Sequence, residues 1–211
     1  MKIAYLYYDI LNLYGDSGNI KIIDRILKEN KIKHEILYLS LDDELNFEDY
    51  DLVYIGSGTE NNIKIVMNHL KKYQKDIKNY IENNKHMLIT GNSIFMFGKE
   101  LEKDKGLNIF DYNVLKVDRI KNEVFIKSLV SKKDIIGFEN TCYKIDKLEN
   151  TLFENEGIYY KNFIGTHIIG PILVRNPEFL KFFMNNLTNK KLRYDLKLEM
   201  KAYDNFVNME G

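Results

Sequence analysis

The chain has 211 residues, enough for one sizeable α/β domain or two small ones, and its 31 Lys+Arg balance its 31 Asp+Glu. That balance leaves no global field drawing it to nucleic acid or to an anionic membrane, although a local basic patch stays open. The single Cys142 excludes an internal disulfide framework and suits a reducing cytoplasm, and the lack of any apolar run of about 18 residues argues against membrane insertion.

Ile3 to Tyr8 is expected to form a first buried strand, and Asp9 follows too soon for a signal peptide. The chain then breaks into a turn-rich stretch, Asp9 to Asn19, in which Gly15, Asp16, Ser17, Gly18 and Asn19 favour turns or helix caps. A helix is expected from about Asn19 or Ile20, burying Ile20, Ile23, Ile26 and Leu27. Glu35 to Leu39 and Leu52 to Ile55 read as the next two strands, the latter ending in Gly56-Ser57-Gly58-Thr59-Glu60. A long helical pattern from about Ile63 to Asn84 follows, with Ile65, Leu70, Ile77 and Ile81 as candidate core positions.

The next stretch organises the rest. The apolar run Met87 to Ile89 stops at Thr90-Gly91-Asn92, and a second begins at Ser93 and reaches Gly98. A buried strand, a sharp turn and the start of a helix account for that pattern. In α/β enzymes such an elbow lifts one side chain out of the sheet's carboxyl edge. Here the apex falls on Gly91, which has no side chain to present.

Up to Gly98 the alternation of strands and helices indicates a mostly parallel sheet covered on both faces. From Leu107 the texture changes: Tyr112 to Val117, Glu123 to Leu129 and Ile135 to Glu139 read as strands joined by charged turns. Tyr159 to Pro171 is expected to add one more strand. Pro177 opens a helix over Glu178 to Leu187, and a last helical stretch is expected from about Leu192 to Val207. No repeat or linker interrupts residues 1–211, which read as a single domain.

Four motifs in order carry a resemblance: Leu11-Asn12-Leu13-Tyr14-Gly15-Asp16-Ser17-Gly18-Asn19, Ile55-Gly56-Ser57-Gly58, Gly137-Phe138-Glu139-Asn140, and Gly165-Thr166-His167-Ile168-Ile169-Gly170-Pro171-Ile172-Leu173. Together they resemble the class I glutamine amidotransferases of the CobB/CobQ-like branch, and within it the GatD-type glutaminase subunits, over nearly the whole chain. The resemblance implies a flavodoxin-like three-layer sandwich with a mainly parallel central sheet and added antiparallel strands in the second half. It implies no cofactor.

Glutamine hydrolysis in such a family needs a thiolate at the elbow, a histidine to activate it and to protonate the departing ammonia, and backbone N–H groups to hold the oxyanion. Aligned on Gly98, the resemblance puts the nucleophile position on Gly91, where relatives carry Cys-Gly-Gly-Tyr-Gln and this chain Gly91-Asn92-Ser93-Ile94-Phe95. It puts the base position on Ile169. Gly56, Ser57 and Gly58 keep the glycine-rich loop, Asn92 follows the elbow, and Arg119 takes the place of the arginine that would grip a glutamine carboxylate.

Substitutes within the chain are weaker. Thr90 reads as a strand-end threonine, since its hydroxyl is far harder to ionise than a thiol. Ser93 lacks the second glycine of a G-x-S-x-G elbow and reads as the N-cap of the following helix. His167 would share a strand face with Ile169 but lie about 6.6 Å along it. Cys142 reads as a small buried hydrophobe. Asp16, Glu139 and Asn140 suit ligand binding or loop capping equally, and His34, His69 and His86 lack metal-ligand spacing, so no metal is expected.

The expectation is therefore a cytoplasmic GatD/CobQ-like amidotransferase-type subunit with lost or reduced glutaminase chemistry. Its implied partner is a Mur-ligase-like synthetase subunit of cell-wall precursor amidation, and a glutamine-like ligand at Arg119 is a further expectation. The alternatives are a working amidotransferase that uses Thr90 or Ser93 with His167, and a small-ligand-binding module.

Overall fold

The computed structural model describes residues 1–210. Strand β1 (Lys2–Leu6) leads through helix α1 (Ser17–Glu29) to β2 (Glu35–Leu39), and the chain crosses back to β3 (Leu52–Ile55). Helices α2 (Glu60–Leu70) and α3 (Gln74–Glu82) precede β4 (His86–Thr90), which runs into tight 3-10 turns at Gly91–Phe97. Short strands β5 (Glu100–Leu101) and β6 (Asp104–Lys105) then precede a long hairpin, β7 (Val114–Ile126) and β8 (Ile135–Ile145). The chain ends with β9 (Ile158–Tyr160), β10 (Phe163–Thr166), the single turn α4 (Ile172–Arg175), α5 (Pro177–Thr188) and α6 (Lys197–Glu210).

The central sheet has the order β2-β1-β3-β4-β10-β9, parallel except for β9 against β10. Its strands are apolar on both faces, as a sheet covered twice requires. Ile3, Tyr5, Leu52, Tyr54 and Leu88 face a layer built by α1 and α5, including Ile23, Ile26, Phe179 and Phe183. Their neighbours Ala4, Leu6, Val53, Ile55 and Met87 face the layer of α2 and α3, including Ile63, Val66, Met67 and Ile77. The period of two along each strand sends alternate residues to opposite layers. A second sheet, β6-β5-β7-β8, adds Leu101, Val114, Tyr143 and Ile145 to the core shared with α2 and α3.

From β1 the chain goes to one side, and from β3 it goes to the other. The loops after these two strands therefore part at the sheet's carboxyl edge, the place where open α/β sheets hold ligands. The turn after β4 closes the same edge.

Several sequence expectations need correction. The pattern over 63–84 is two helices, broken at Lys71–Tyr73, where Tyr73 packs on Phe47 and accepts the Leu45 N–H. Ile65 is half exposed, because Ile63, Val66, Met67 and Leu70 already form the inward stripe and leave it on the outer face. The expected meander is one long hairpin, since the charged residues between Lys116 and Ile120 form a bulge rather than a turn. The strand expected over 159–171 is the hairpin β9–β10, turning at Lys161 and Asn162 and ending at Thr166. Asn189, in left-handed conformation, ends α5, and the last helix begins only at Lys197.

Candidate active site

Gly91 caps β4 with φ +62, a left-handed conformation that strains any residue carrying a Cβ. A Cβ built there would run into the Oγ and Cβ of Ser57 and come within 2.8 Å of Ile169 Cγ2. The structure thus brings Gly91, Ser57 and Ile169 into one van der Waals cluster, with no room for a longer side chain at the apex. All three are buried. Ile169 reaches the elbow because its backbone pairs with Phe138 of β8, N–H to carbonyl in both directions at 2.9 and 3.2 Å.

Beneath the elbow lies Asp16, fully buried. Its Oδ2 accepts the Ser57 backbone N–H at 2.5 Å and the Thr90 hydroxyl at 2.8 Å, so one carboxylate ties the loops after β1 and β3 to the end of β4. Tyr54 closes the network, donating to the Asp16 carbonyl and accepting from Asn19 Nδ2, both at 3.0 Å. Burial pushes the Asp16 carboxyl up to about 6, against the lowering effect of the bonds from Thr90 and Ser57. No side-chain cap bond forms at the start of α1. Asp16 is a cross-loop tie rather than a helix cap, and that role was invisible in the sequence.

The carbonyls of the glycine-rich loop are engaged. Ser93 Oγ donates to the Gly56 carbonyl at 2.6 Å, Asn92 Nδ2 to the Gly58 carbonyl at 3.4 Å, and the Leu13 N–H to the Ser57 carbonyl at 3.0 Å. A Cβ at Gly56 or Gly58 would strike Leu11, which packs under the loop. Ser93 therefore binds across to the loop, within 3-10 turns, instead of capping an α-helix.

His167 sits just past β10, with Nε2 2.6 Å from Glu139 Oε1 and Nδ1 3.0 Å from Glu156 Oε1. Its ring stacks near Phe95, centroids 6.2 Å apart. Burial opposes the imidazolium, but the Glu156 and Glu139 carboxylates outweigh it and hold the ring's pKa up at about 10. Both nitrogens are committed, so the ring has no lone pair to offer a nucleophile near neutral pH. Thr90 and Ser93 are likewise donating elsewhere. Glu156, buried and also bonded to Thr166 Oγ1, is the second residue the sequence did not reveal.

Arg119 projects from the β7 bulge toward the start of α2. Its Nη2 meets Glu60 Oε1 at 2.6 Å and its Nη1 meets Asn140 Oδ1 at 2.9 Å. Asn140 Nδ2 in turn donates to the Tyr14 hydroxyl at 2.6 Å, and the Cys142 thiol to Glu60 Oε1 at 3.3 Å. The guanidinium expected to hold a ligand carboxylate is thus held by a carboxylate of its own chain. Burial and Glu60 together push the Cys142 thiol up, away from thiolate character. His34 is bonded to Asp24 and the Ile32 carbonyl, and His69 to the Tyr7 hydroxyl, so neither joins the elbow.

Residues 2–177 match the model of the CobB/CobQ-like glutamine amidotransferase domain. The chain is 29% identical over 228 residues to the lipid II isoglutaminyl synthase (glutamine-hydrolyzing) subunit GatD of Staphylococcus aureus, covering 100% of this chain and 93% of that one. It is 26% identical over 231 residues to the GatD subunit of Streptococcus pneumoniae, covering 100% and 88%. Among solved structures, a glutamine amidotransferase from Thermotoga maritima aligns with a TM-score of 0.56 at 13% identity, covering 99% of this chain and 92% of that one. The glutaminase domain of Trypanosoma brucei CTPS, with bound acivicin, aligns at 0.53 and 10% identity, covering 93% and 97%. At those identities the structural likeness concerns the fold alone.

Proposed function

The chain belongs to the CobB/CobQ-like glutamine amidotransferase family, and from that premise we propose that it is a GatD-like amidotransferase-type subunit whose own glutaminase step is lost or severely reduced. Its relatives carry the name lipid II isoglutaminyl synthase subunit. On this reading it joins a Mur-ligase-like synthetase that amidates a carboxylate of a cell-wall precursor, and it serves there as scaffold or regulator.

One observation carries the reading: the apex of the elbow is Gly91, and the space a nucleophile's Cβ would need is taken by Ser57 and Ile169. Glutamine hydrolysis needs a nucleophile and a base in contact at that apex. A bare glycine and a hydrocarbon supply neither. The Ser57 N–H, a candidate oxyanion donor, points instead to Asp16. A working site built from Thr90 or Ser93 with His167 has no support in the hydrogen bonding, since all three are engaged with other partners. A small-ligand module above Gly91 is opposed by Ile169, which fills that space.

The test is release of ammonia and glutamate from glutamine, by the chain alone and with a cognate ligase subunit. No turnover above background is expected in either arm. Ready turnover in either would refute the inactive reading.

A further inference from the structure

The overall charge balance conceals a local excess. Helices α5 and α6, the segment joining them and the tip of the β7–β8 hairpin surround three adjoining depressions of about 960, 510 and 510 Å³. Six lysines line them against three carboxylates. Two of these lysines are spoken for: Lys133 pairs with Asp204 at 2.5 Å and Lys181 with Glu178 at 2.6 Å. Lys132, Lys191, Lys197 and Lys201 are exposed and make no ion pair among the described residues.

Apolar side chains lie between these charges. Phe182, Leu192 and Met200 are half-buried in the lining. At the hairpin tip Phe125 and Leu129 stand 58% and 54% exposed, beside Lys132 and Lys133. A large apolar side chain left in water beside an unpaired ammonium gains from neither neighbour. Both are satisfied at once by a surface that is anionic outside and oily just beneath, where ammonium groups meet phosphates and apolar groups enter the acyl boundary. An acidic polypeptide would answer only the lysines. The residues also come from three separate elements spread along one face, which suits a planar partner better than a single pocket ligand. None of them takes part in the elbow or its hydrogen bonds.

We infer that this face rests peripherally on a bilayer containing anionic phospholipid, with Phe125 and Leu129 at the headgroup boundary and Lys132, Lys191, Lys197 and Lys201 among the phosphates. This goes beyond the reading of the elbow and stands whether or not the chain hydrolyses glutamine.

Flotation of the full chain with vesicles of phosphatidylcholine alone, or with about one-third phosphatidylglycerol, tests it directly. Association is expected with the anionic vesicles only, falling at least about tenfold when salt rises from roughly 0.05 to 0.5 M. The quadruple variant Lys132→Gln, Lys191→Gln, Lys197→Gln, Lys201→Gln, which keeps side-chain length, should lose it by a similar factor. Phe125→Ser with Leu129→Ser should weaken it several-fold while leaving the salt dependence. Equal binding to neutral vesicles, no binding to anionic ones, or full binding by the lysine variant would each overturn the inference. Displacement by polyglutamate, with the Phe125 and Leu129 changes having no effect, would overturn it in favour of an acidic polypeptide.

Discussion

The Ser57 backbone N–H donates to the Asp16 carboxylate at 2.5 Å. That bond turns the polar edge of the glycine-rich loop inward, and the Ser57 side chain is left facing the elbow beside Gly91. Three loops from distant parts of the sequence are thereby fixed around one buried acid. The predictions below follow from that arrangement and from the second acid cluster around His167.

On the inactive reading, installing a nucleophile and a base at the elbow should take more than two changes. Gly91→Cys alone places a Cβ against Ser57 in a left-handed backbone, and should cost roughly 1–3 kcal/mol in a denaturant melt. Gly91→Cys with Ile169→His should remain inactive in a glutaminase assay, because Ser57 still occupies the thiol's approach. Adding Ser57→Gly should recover stability and give the first measurable glutamate release. Activity in the double variant would show that Ser57 moves aside readily.

Asp16 should give the protein a distinctive pH dependence. Its folded pKa of about 6 lies above its ordinary value of 3.8. The folded state therefore binds the proton more tightly than the unfolded chain does. The contribution of this group is greatest below about pH 4 and is lost as pH rises to about 6, an effect of order 3 kcal/mol for a buried group. Asp16→Asn mimics the protonated form. Its stability relative to wild type should climb across pH 4 to 6 and stay level above; a flat difference would rule out the raised carboxyl.

His167 should titrate in the opposite range. A ring held at about 10 adds stability that is complete below about pH 6.5 and disappears as pH rises through 10. Its ring resonances should remain those of an imidazolium at pH 8 in a nitrogen-detected NMR titration. His167→Gln leaves Glu156 buried without a counter-charge and should cost roughly 3 kcal/mol at pH 7. That figure is at the low end because Glu139 is 22% exposed.

Arg119 and Glu60 should matter little to folding. The guanidinium is 53% exposed, so breaking the pair with Glu60→Gln should change stability by under about 1 kcal/mol. A glutamine-like ligand gripped by Arg119 would first have to displace Glu60. Calorimetric binding of L-glutamine should thus be weak in wild type and tighter in Glu60→Gln, whereas weaker binding in the variant would mean that Glu60 assists the ligand.

The sequence exposed the frame more fully than the site. Strands over Leu52–Ile55 and Met87–Ile89 were legible because a sheet covered on both faces writes itself as an unbroken apolar run. The elbow was legible because Gly91 interrupts two such runs. Ile65 misled, since one isoleucine looks like another until the inward stripe of Ile63, Val66 and Met67 is known. The role of Asp16 was hidden for a different reason. A buried acid inside a turn-rich stretch has the same local signature as a cap, and its partners Ser57 and Thr90 lie 41 and 74 residues away. Glu156 was silent likewise, in a loop that no period marks.

The left-handed backbone at Gly91 has a consequence for how substitutions there would rank. Glycine adopts that conformation freely, whereas a residue with a β-carbon would hold it at a cost of about 1–2 kcal/mol. Saturation mutagenesis scored by abundance should therefore place glycine first at this position, and cysteine well down the order whatever its chemical usefulness. Folding and reactivity want different occupants at this one bend, and a lineage released from the second demand would slide toward the first.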